Sequence, residues 1–142
     1  MKRLTAFALV IVFSLPIAGC DLLTTVLPTT VVVRLVNNGT LPVEVEVYTS
    51  DNQDITETLL KTLGTKQEIT VAAGQTMTLT EDCDDLQAIV CEAKLQAVVI
   101  VPDDETNVLR DETDFECGNT ITFTFAHSII LVDFNITTNV AN

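Results

Sequence analysis

The feature that most constrains the fold of this chain is a strict alternation of apolar and polar residues. Residues 43–47 read Val-Glu-Val-Glu-Val, and residues 120–125 alternate threonine with isoleucine and phenylalanine. Because successive side chains of a β-strand point to opposite faces of a sheet, such segments bury one face and expose the other. The pattern recurs in short segments along much of the chain. It predicts a domain built mainly from β-strands.

Turn dipeptides between these segments predict how the strands connect. The Asn-Gly pair at 38–39 follows an alternating segment at 31–35, and Asn-Gly favours the positive φ angles of a tight hairpin. We therefore expect residues 31–35 and 43–47 to form a hairpin. The Ala-Gly pair at 73–74 predicts a second hairpin, and the His-Ser pair at 127–128 predicts the turn of a closing pair of strands.

Three other segments depart from this simple pattern. Residues 54–63 lack the alternation and are expected to form one short helix, with Asp54 as its N-cap and Gly64 at its end. Residues 89–101 read as one long or bulged strand. Residues 103–116 read as an acidic loop that has a short strand near its middle.

About seven to eight short strands with frequent turn signals predict an all-β fold. We expect residues 30–142 to form a single antiparallel β-sandwich, Ig-like or related, with one short helix. The chain contains no tryptophan, so the Cys-Trp-Cys signature of true Ig domains is absent and the strand topology stays open. With 47% hydrophobic residues, the sequence can bury the core of one such domain.

The first 19 residues have a different character from the rest of the chain. Lys2 and Arg3 precede an apolar run at 4–15 that is interrupted only by Thr5 and Ser14. This run is too short to cross a bilayer, because a spanning helix needs about 20 apolar residues. A basic start, a short apolar core and small residues before a cleavage point are typical of a signal peptide. Residues 1–19 are therefore expected to be removed.

The residues that end this segment, Ile17-Ala18-Gly19-Cys20, resemble the lipobox of bacterial lipoproteins. The resemblance covers residues 1–20 and departs mildly at Ile17, where leucine is commoner. It implies that Cys20 receives a diacylglyceryl thioether, becomes the new N-terminus and is acylated with fatty acids such as palmitate. Several acyl chains hold a protein on a bilayer far more firmly than one. The alternative is an ordinary signal-peptidase junction followed by a chance cysteine.

The same resemblance predicts where the protein resides. A lipidated Cys20 would anchor the chain in the cell envelope, on the extracytoplasmic side of a membrane. Asp21 resembles an inner-membrane retention residue, but that code differs between bacterial lineages, so the inner and outer membranes both stay open. Residues 20–29 comprise the lipidated cysteine and a short tether. Fully extended, residues 21–29 reach at most about 30 Å, so the domain is expected to sit close to its membrane.

Charge excludes one class of partner. All 20 acidic residues follow residue 19, whereas only five of the seven basic residues do, so the segment from Cys20 onward has a formal charge of −15. Nucleic-acid binding depends on lysine and arginine neutralising phosphates. We therefore expect no nucleic-acid partner.

Three cysteines remain besides Cys20, and export makes a disulfide bond the expectation. Three single pairings are possible, and sequence alone does not choose among them. The pairing of Cys83 with Cys117 is favoured because both flank acidic loops. Cys91 lies in an apolar strand, where burial as a small hydrophobic residue suits it.

The acidic residues around these cysteines predict a calcium site as an alternative reading, since calcium binds converging carboxylates. A Cys83–Cys117 bond would bring the two acidic clusters together. The loop at 103–114 does not match an EF-hand, because Val108 occupies the glycine position. The candidate ligands of a looser site are Asp82, Asp84, Asp103, Glu105, Asp111 and Asp114.

No catalytic residues are predicted. His127 is the single histidine and is expected in an exposed turn, and no nucleophile elbow, phosphate loop or zinc-protease motif occurs. The sequence therefore predicts a membrane-anchored envelope lipoprotein whose β-sandwich is a non-catalytic interaction or structural module. Its expected partners are the lipid bilayer and an unidentified envelope protein. The alternative is a calcium-dependent binding module that uses residues 103–114.

Overall fold

The computed structural model describes residues 27–96, 103–127 and 133–142. Within these ranges the chain forms nine strands and one helix. In chain order they are β1 (Thr30–Asn37), β2 (Val43–Ser50), α1 (Glu57–Leu63), β3 (Thr65–Val71), β4 (Thr76–Asp82), β5 (Ala88–Leu95), β6 (Asp103–Glu105), β7 (Leu109–Arg110), β8 (Thr120–Ala126) and β9 (Asn135–Ala141).

The strands form two sheets that pack on each other, which confirms the predicted all-β sandwich. Sheet A has the order β4-β1-β8-β9, and sheet B has the order β3-β2-β5-β6, with β7 also pairing with β5. The expectation of purely antiparallel pairing is wrong at one place. β1 and β8 run parallel, although every other described strand pair is antiparallel.

The core lies between the two sheets and follows the alternation read from the sequence. On β1, Val31, Val33 and Leu35 are at most 1% exposed, and the phenylalanines of β8 are fully buried. The valines of β2 face them from sheet B and are buried to the same degree. Burying each such side chain contributes about 1.5–3 kcal/mol. The alternation therefore identified the inward faces correctly.

The two predicted hairpins at 38–39 and 73–74 are wrong. β1 pairs with β4 and β8, whereas β2 pairs with β3 and β5, so the chain crosses from one sheet to the other at 38–39. β3 and β4 likewise belong to different sheets. Gly39 permits close packing, because a Cβ there would lie 2.2 Å from the ring of His127 and would displace it.

The expected short helix is present and ends at Gly64, but its start differs from the sequence expectation. α1 begins at Glu57, and its N-cap is Thr56, whose hydroxyl accepts from the amide of Leu59. Asp54 instead donates its amide to the side chain of Asn52, so it belongs to the preceding turn. In the segment 103–116, β7 matches the short strand expected near the middle, whereas β6 was not expected. Both strands pair with β5.

A closing pair of antiparallel strands is confirmed, since β8 pairs with β9 along its whole length. Its second strand was expected at 130–136 but covers Asn135–Ala141, so the link between the two strands is longer than the predicted turn at 127–128. The end of the strand predicted at 89–101 and the start of the predicted closing strand fall in residues 97–102 and 128–132. These residues lie outside the described ranges. Within the described part, β5 covers Ala88–Leu95.

The helix covers part of one sheet only. Leu60 of α1 is fully buried and packs with Tyr48 and Val90 on the outer face of sheet B. Helix α1 has seven residues, and no helix in the described ranges is long and apolar enough to cross a membrane. Within the described ranges α1 packs on β2 and β5, both of which belong to sheet B.

Candidate functional site

A disulfide bond joins Cys83, directly after β4, to Cys117, in the loop before β8. Their Cα atoms are 5.6 Å apart, and the predicted pairing is confirmed. Cys91 is a free, fully buried residue of β5, as expected for a small hydrophobic side chain. Burial raises the pKa of the Cys91 thiol.

The chain enters the domain beside this disulfide. The carbonyl of Thr29 accepts from the amide of Cys83 at 2.9 Å, and the carbonyl of Thr30 accepts from the amide of Gly118 at 3.0 Å. The ring of Pro28 packs against Gly118, where φ is +90° and a Cβ would lie 2.6 Å from the proline Cγ. We call residues 28–30 the tether root. Cys20 and the rest of the tether up to residue 26 lie outside the described residues.

Carboxylates surround the tether root at this end of the sandwich. Asp82, Asp84 and Asp111 line one hollow together with Asp85 and Glu112. The hollow contains three of the six candidate calcium ligands. The disulfide explains their approach, because it joins the turn after β4 to the loop after β7.

The other three candidate ligands lie elsewhere. Asp103 and Glu105 belong to β6 and face a groove on the outer surface of sheet B. The carboxylate of Asp114 accepts from the amide of Arg110 at 2.8 Å and closes the turn between them. No three acidic, histidine or cysteine side chains in the described ranges are grouped closely enough to hold a metal ion. Calcium binding therefore stays a prediction.

A row of four glutamates crosses the outer face of sheet B. Glu68, Glu46, Glu92 and Glu105 lie directly opposite one another on four successive strands. Like charges in opposite positions destabilise a sheet. The sequence alone predicts that the glutamates of β2 lie on the solvent-exposed face. The alignment of all four glutamates in one row depends on the register between the strands.

Two lysines offset the repulsion between the glutamates of this row. The ammonium of Lys66 lies 3.0 Å from the carboxylate of Glu46 and 2.7 Å from that of Glu68. Lys61, which reaches down from α1, contacts Glu92 at 2.7 Å and also contacts Glu105. Each lysine thus bridges two glutamates of the row.

Further contacts extend the charged face on both sides of the row. Lys61 also lies 3.1 Å from Glu57 of its own helix. In the neighbouring register position, Lys94 lies 2.8 Å from Glu44. All three lysines of the described ranges therefore lie on this face.

The charged network shifts the protonation of its members. A hydrogen bond from Tyr48 and the contact with Lys66 hold the pKa of Glu46 below its ordinary value. Partial burial of Lys61 opposes its charge, but hydrogen bonds to three glutamates outweigh burial and raise its pKa. Burial raises the pKa of Glu105 despite the nearby ammonium.

The single histidine has a structural contact rather than the exposed turn position expected for it. His127 is half-buried, and its Nε2 accepts from the amide of Thr40 at 2.9 Å. This bond ties the end of β8 to the loop between β1 and β2. The imidazole of His127 therefore acts as a hydrogen-bond acceptor for a backbone amide.

Comparisons with known proteins give little further information. No family model matches the chain, and no curated protein matches it. It is similar to the solved structure "Trapped Toxin" at 10% identity and a TM-score of 0.49, and to that of the human-specific toxin intermedilysin at 10% identity and a TM-score of 0.46. Each likeness covers 80% of this chain and 24% of the other, so the chain spans about a quarter of their length. Neither likeness bears on what the chain does.

Proposed function

We propose that the protein is a lipid-anchored, non-catalytic interaction module of a bacterial cell envelope. The lipobox resemblance at Cys20 supports the anchor. The tether root is the structural observation that carries the proposal. The tether continues directly into β1, a central strand of sheet A, and is hydrogen-bonded next to a covalent cross-link.

This arrangement suits a domain held at a surface. Fully extended, residues 20–27 span at most about 28 Å, so a lipidated Cys20 would keep the disulfide end of the sandwich near the membrane. Confinement to a surface raises the effective concentration of the domain towards other proteins there. Weak contacts with a partner in the same envelope then suffice.

The edge of sheet A offers a surface for such a contact. β9 has no charged residue and no proline, the features that usually protect an edge strand. At its start, the amide of Ile136 donates to the carboxylate of Asp104 at 2.7 Å and therefore points away from β8. By strand alternation, the amides of Thr138 and Val140 also point outward. An extended segment of another envelope protein could pair with them.

Metabolic labelling tests the anchor. Producing cells fed labelled palmitate should incorporate the label into the wild-type chain, which should sediment with membranes. Cys20→Ala should abolish both the incorporation of label and the sedimentation with membranes. Cys91→Ala is the matched control, because it removes a cysteine that is buried in the domain and should leave both results unchanged. Label that persists in Cys20→Ala would disprove anchoring at this residue.

A further inference from the structure

The outer face of sheet A is an array of mostly small, uncharged side chains around one arginine, which we call the threonine face. Each strand contributes three of its outward positions, which alternate with side chains that point towards the other sheet. The twelve residues are Val32, Arg34 and Val36 of β1, Thr76, Thr78 and Thr80 of β4, Thr120, Thr122 and Thr124 of β8, and Thr137, Asn139 and Ala141 of β9. The remaining outward residues lie beyond these positions at the strand ends, and they are Thr30, Asp82, Ala126 and Asn135.

The register aligns these residues in three rows across the sheet. The central row runs from Thr78 through Arg34 and Thr122 to Asn139. The two rows beside it contain threonine, valine and alanine only. Arg34 is exposed and is the one charged residue among the twelve.

Charge is therefore distributed unevenly around the sandwich. The outer face of sheet B carries the glutamate row, and the disulfide end carries the acidic hollow. The chain has a formal charge of −15 beyond residue 19, yet the threonine face has one positive charge and no negative one in its three rows. An anionic surface is therefore repelled less by this face than by the other two surfaces.

We propose that the threonine face lies against the surface of the membrane that holds the lipid anchor. This inference rests on the proposed function. The tether enters β1, which belongs to the same sheet, and the exposed Leu27 precedes the tether root. With a reach of about 28 Å, residues 20–27 allow the sandwich to lie on its side. Threonine hydroxyls, the Asn139 amide and the Arg34 guanidinium are donors that suit lipid phosphate oxygens.

Paramagnetic relaxation in lipid nanodiscs tests the orientation. The full lipidated chain is placed in discs of phosphatidylethanolamine and phosphatidylglycerol that contain a lipid with a gadolinium chelate on its headgroup. Backbone amide relaxation is then measured by NMR. Stacked sheets lie about 10 Å apart, and paramagnetic relaxation falls with the sixth power of distance. Amides of β1 and β8 should relax several-fold faster than those of β2 and β5.

Two matched variants separate the proposed contact from general electrostatics. Thr137→Glu adds a charge to an exposed position of an edge strand in sheet A, and Thr70→Glu does the same in sheet B. Thr137→Glu should reduce the difference in relaxation between the sheets, and Thr70→Glu should leave it unchanged. Equal effects of the two variants would contradict a specific contact.

The outcomes distinguish this inference from the proposed function. A chain that stays in the discs but relaxes equally in both sheets, or fastest in sheet B or at the disulfide end, overturns the inference and leaves the anchor intact. A chain that does not stay in the discs overturns the anchor. Protection of the threonine face that depends on protein concentration and persists in detergent would indicate a second copy there, and would overturn the membrane contact.

Discussion

The side-chain amide of Asn37, at the end of β1, donates a hydrogen bond of 3.0 Å to the carbonyl oxygen of Val71, at the end of β3. This bond joins sheet A to sheet B across 34 positions of sequence. The same Nδ2 donates to the carbonyl of Leu41 at 2.8 Å, and the Oδ1 accepts from the amide of Gly39. Asn37 is 1% exposed, so one buried side chain organises the crossing between the sheets.

Replacing this side chain should destabilise the fold. Asn37→Ala leaves the carbonyls of Val71 and Leu41 without their donor, and we expect a loss of about 2–3 kcal/mol in the free energy of unfolding. Urea denaturation measures it. The exposed neighbour provides a control, since Asn38→Ala should change the stability by less than about 0.5 kcal/mol. Equal effects of the two variants would mean that the buried bonds contribute little.

The disulfide should contribute most of its stability by constraining the unfolded chain. Cys83 and Cys117 are separated by 34 residues, and closing such a loop is worth about 3–4 kcal/mol in the chain-entropy model. The double variant Cys83→Ser, Cys117→Ser should lose that amount in urea denaturation. Dithiothreitol should produce the same loss in the wild-type chain and none in the variant. A reductant effect that persists in the variant would contradict this assignment.

Removing Lys61 should expose the repulsion within the glutamate row. In Lys61→Met, Glu92 and Glu105 stay directly opposite each other without the ammonium between them. We expect a loss of about 1 kcal/mol, which should shrink at high salt as the repulsion is screened. Lys94→Met, which affects the more exposed contact with Glu44, should cost less. A loss independent of salt would instead indicate packing of the lysine stem.

Stability should fall on acidification partly through Glu46. Its pKa lies below the ordinary value of 4.5, so the folded state binds this proton less readily than the unfolded state. Its contribution is therefore present above about pH 4.5 and is lost as the pH falls through the lower, folded pKa. Glu46→Gln should flatten the fall of Tm on acidification, and the exposed Glu116→Gln should not. Identical acid profiles for both variants would contradict this role.

The sequence correctly predicted which face of each strand is buried. It did not predict which strands lie next to each other in the sheets. Alternation at 43–47 and 120–125 correctly indicated which side chains enter the core, because burial depends only on the period of the strand. It could not distinguish a hairpin from a crossing between sheets, since both reverse the chain direction after a short turn. The buried Asn37 and the contact of Gly39 with His127 decide for the crossing, and both are long-range.

The candidate site was predictable to a similar extent. The positions of Cys83 and Cys117 at the ends of acidic segments were enough to favour their bond. The convergence of Asp82, Asp84 and Asp111 followed from that bond. The sequence did not show that β6 pairs with β5. This pairing places Asp103 and Glu105 on the outer face of sheet B, which carries the lysine-bridged glutamates.

The outward amides of β9 give the last prediction, which concerns the edge offered to a partner strand. Thr138 points its amide away from β8, whereas Thr137 points its amide towards β8 by the same alternation. Proline has no amide proton and is tolerated mainly at edges. Thr138→Pro should therefore cost about 1 kcal/mol, and Thr137→Pro about 3 kcal/mol or more, in thermal or urea unfolding. Reversed costs would mean that β9 exposes the other set of amides, and a partner strand would then have to pair through Thr137 and Asn139.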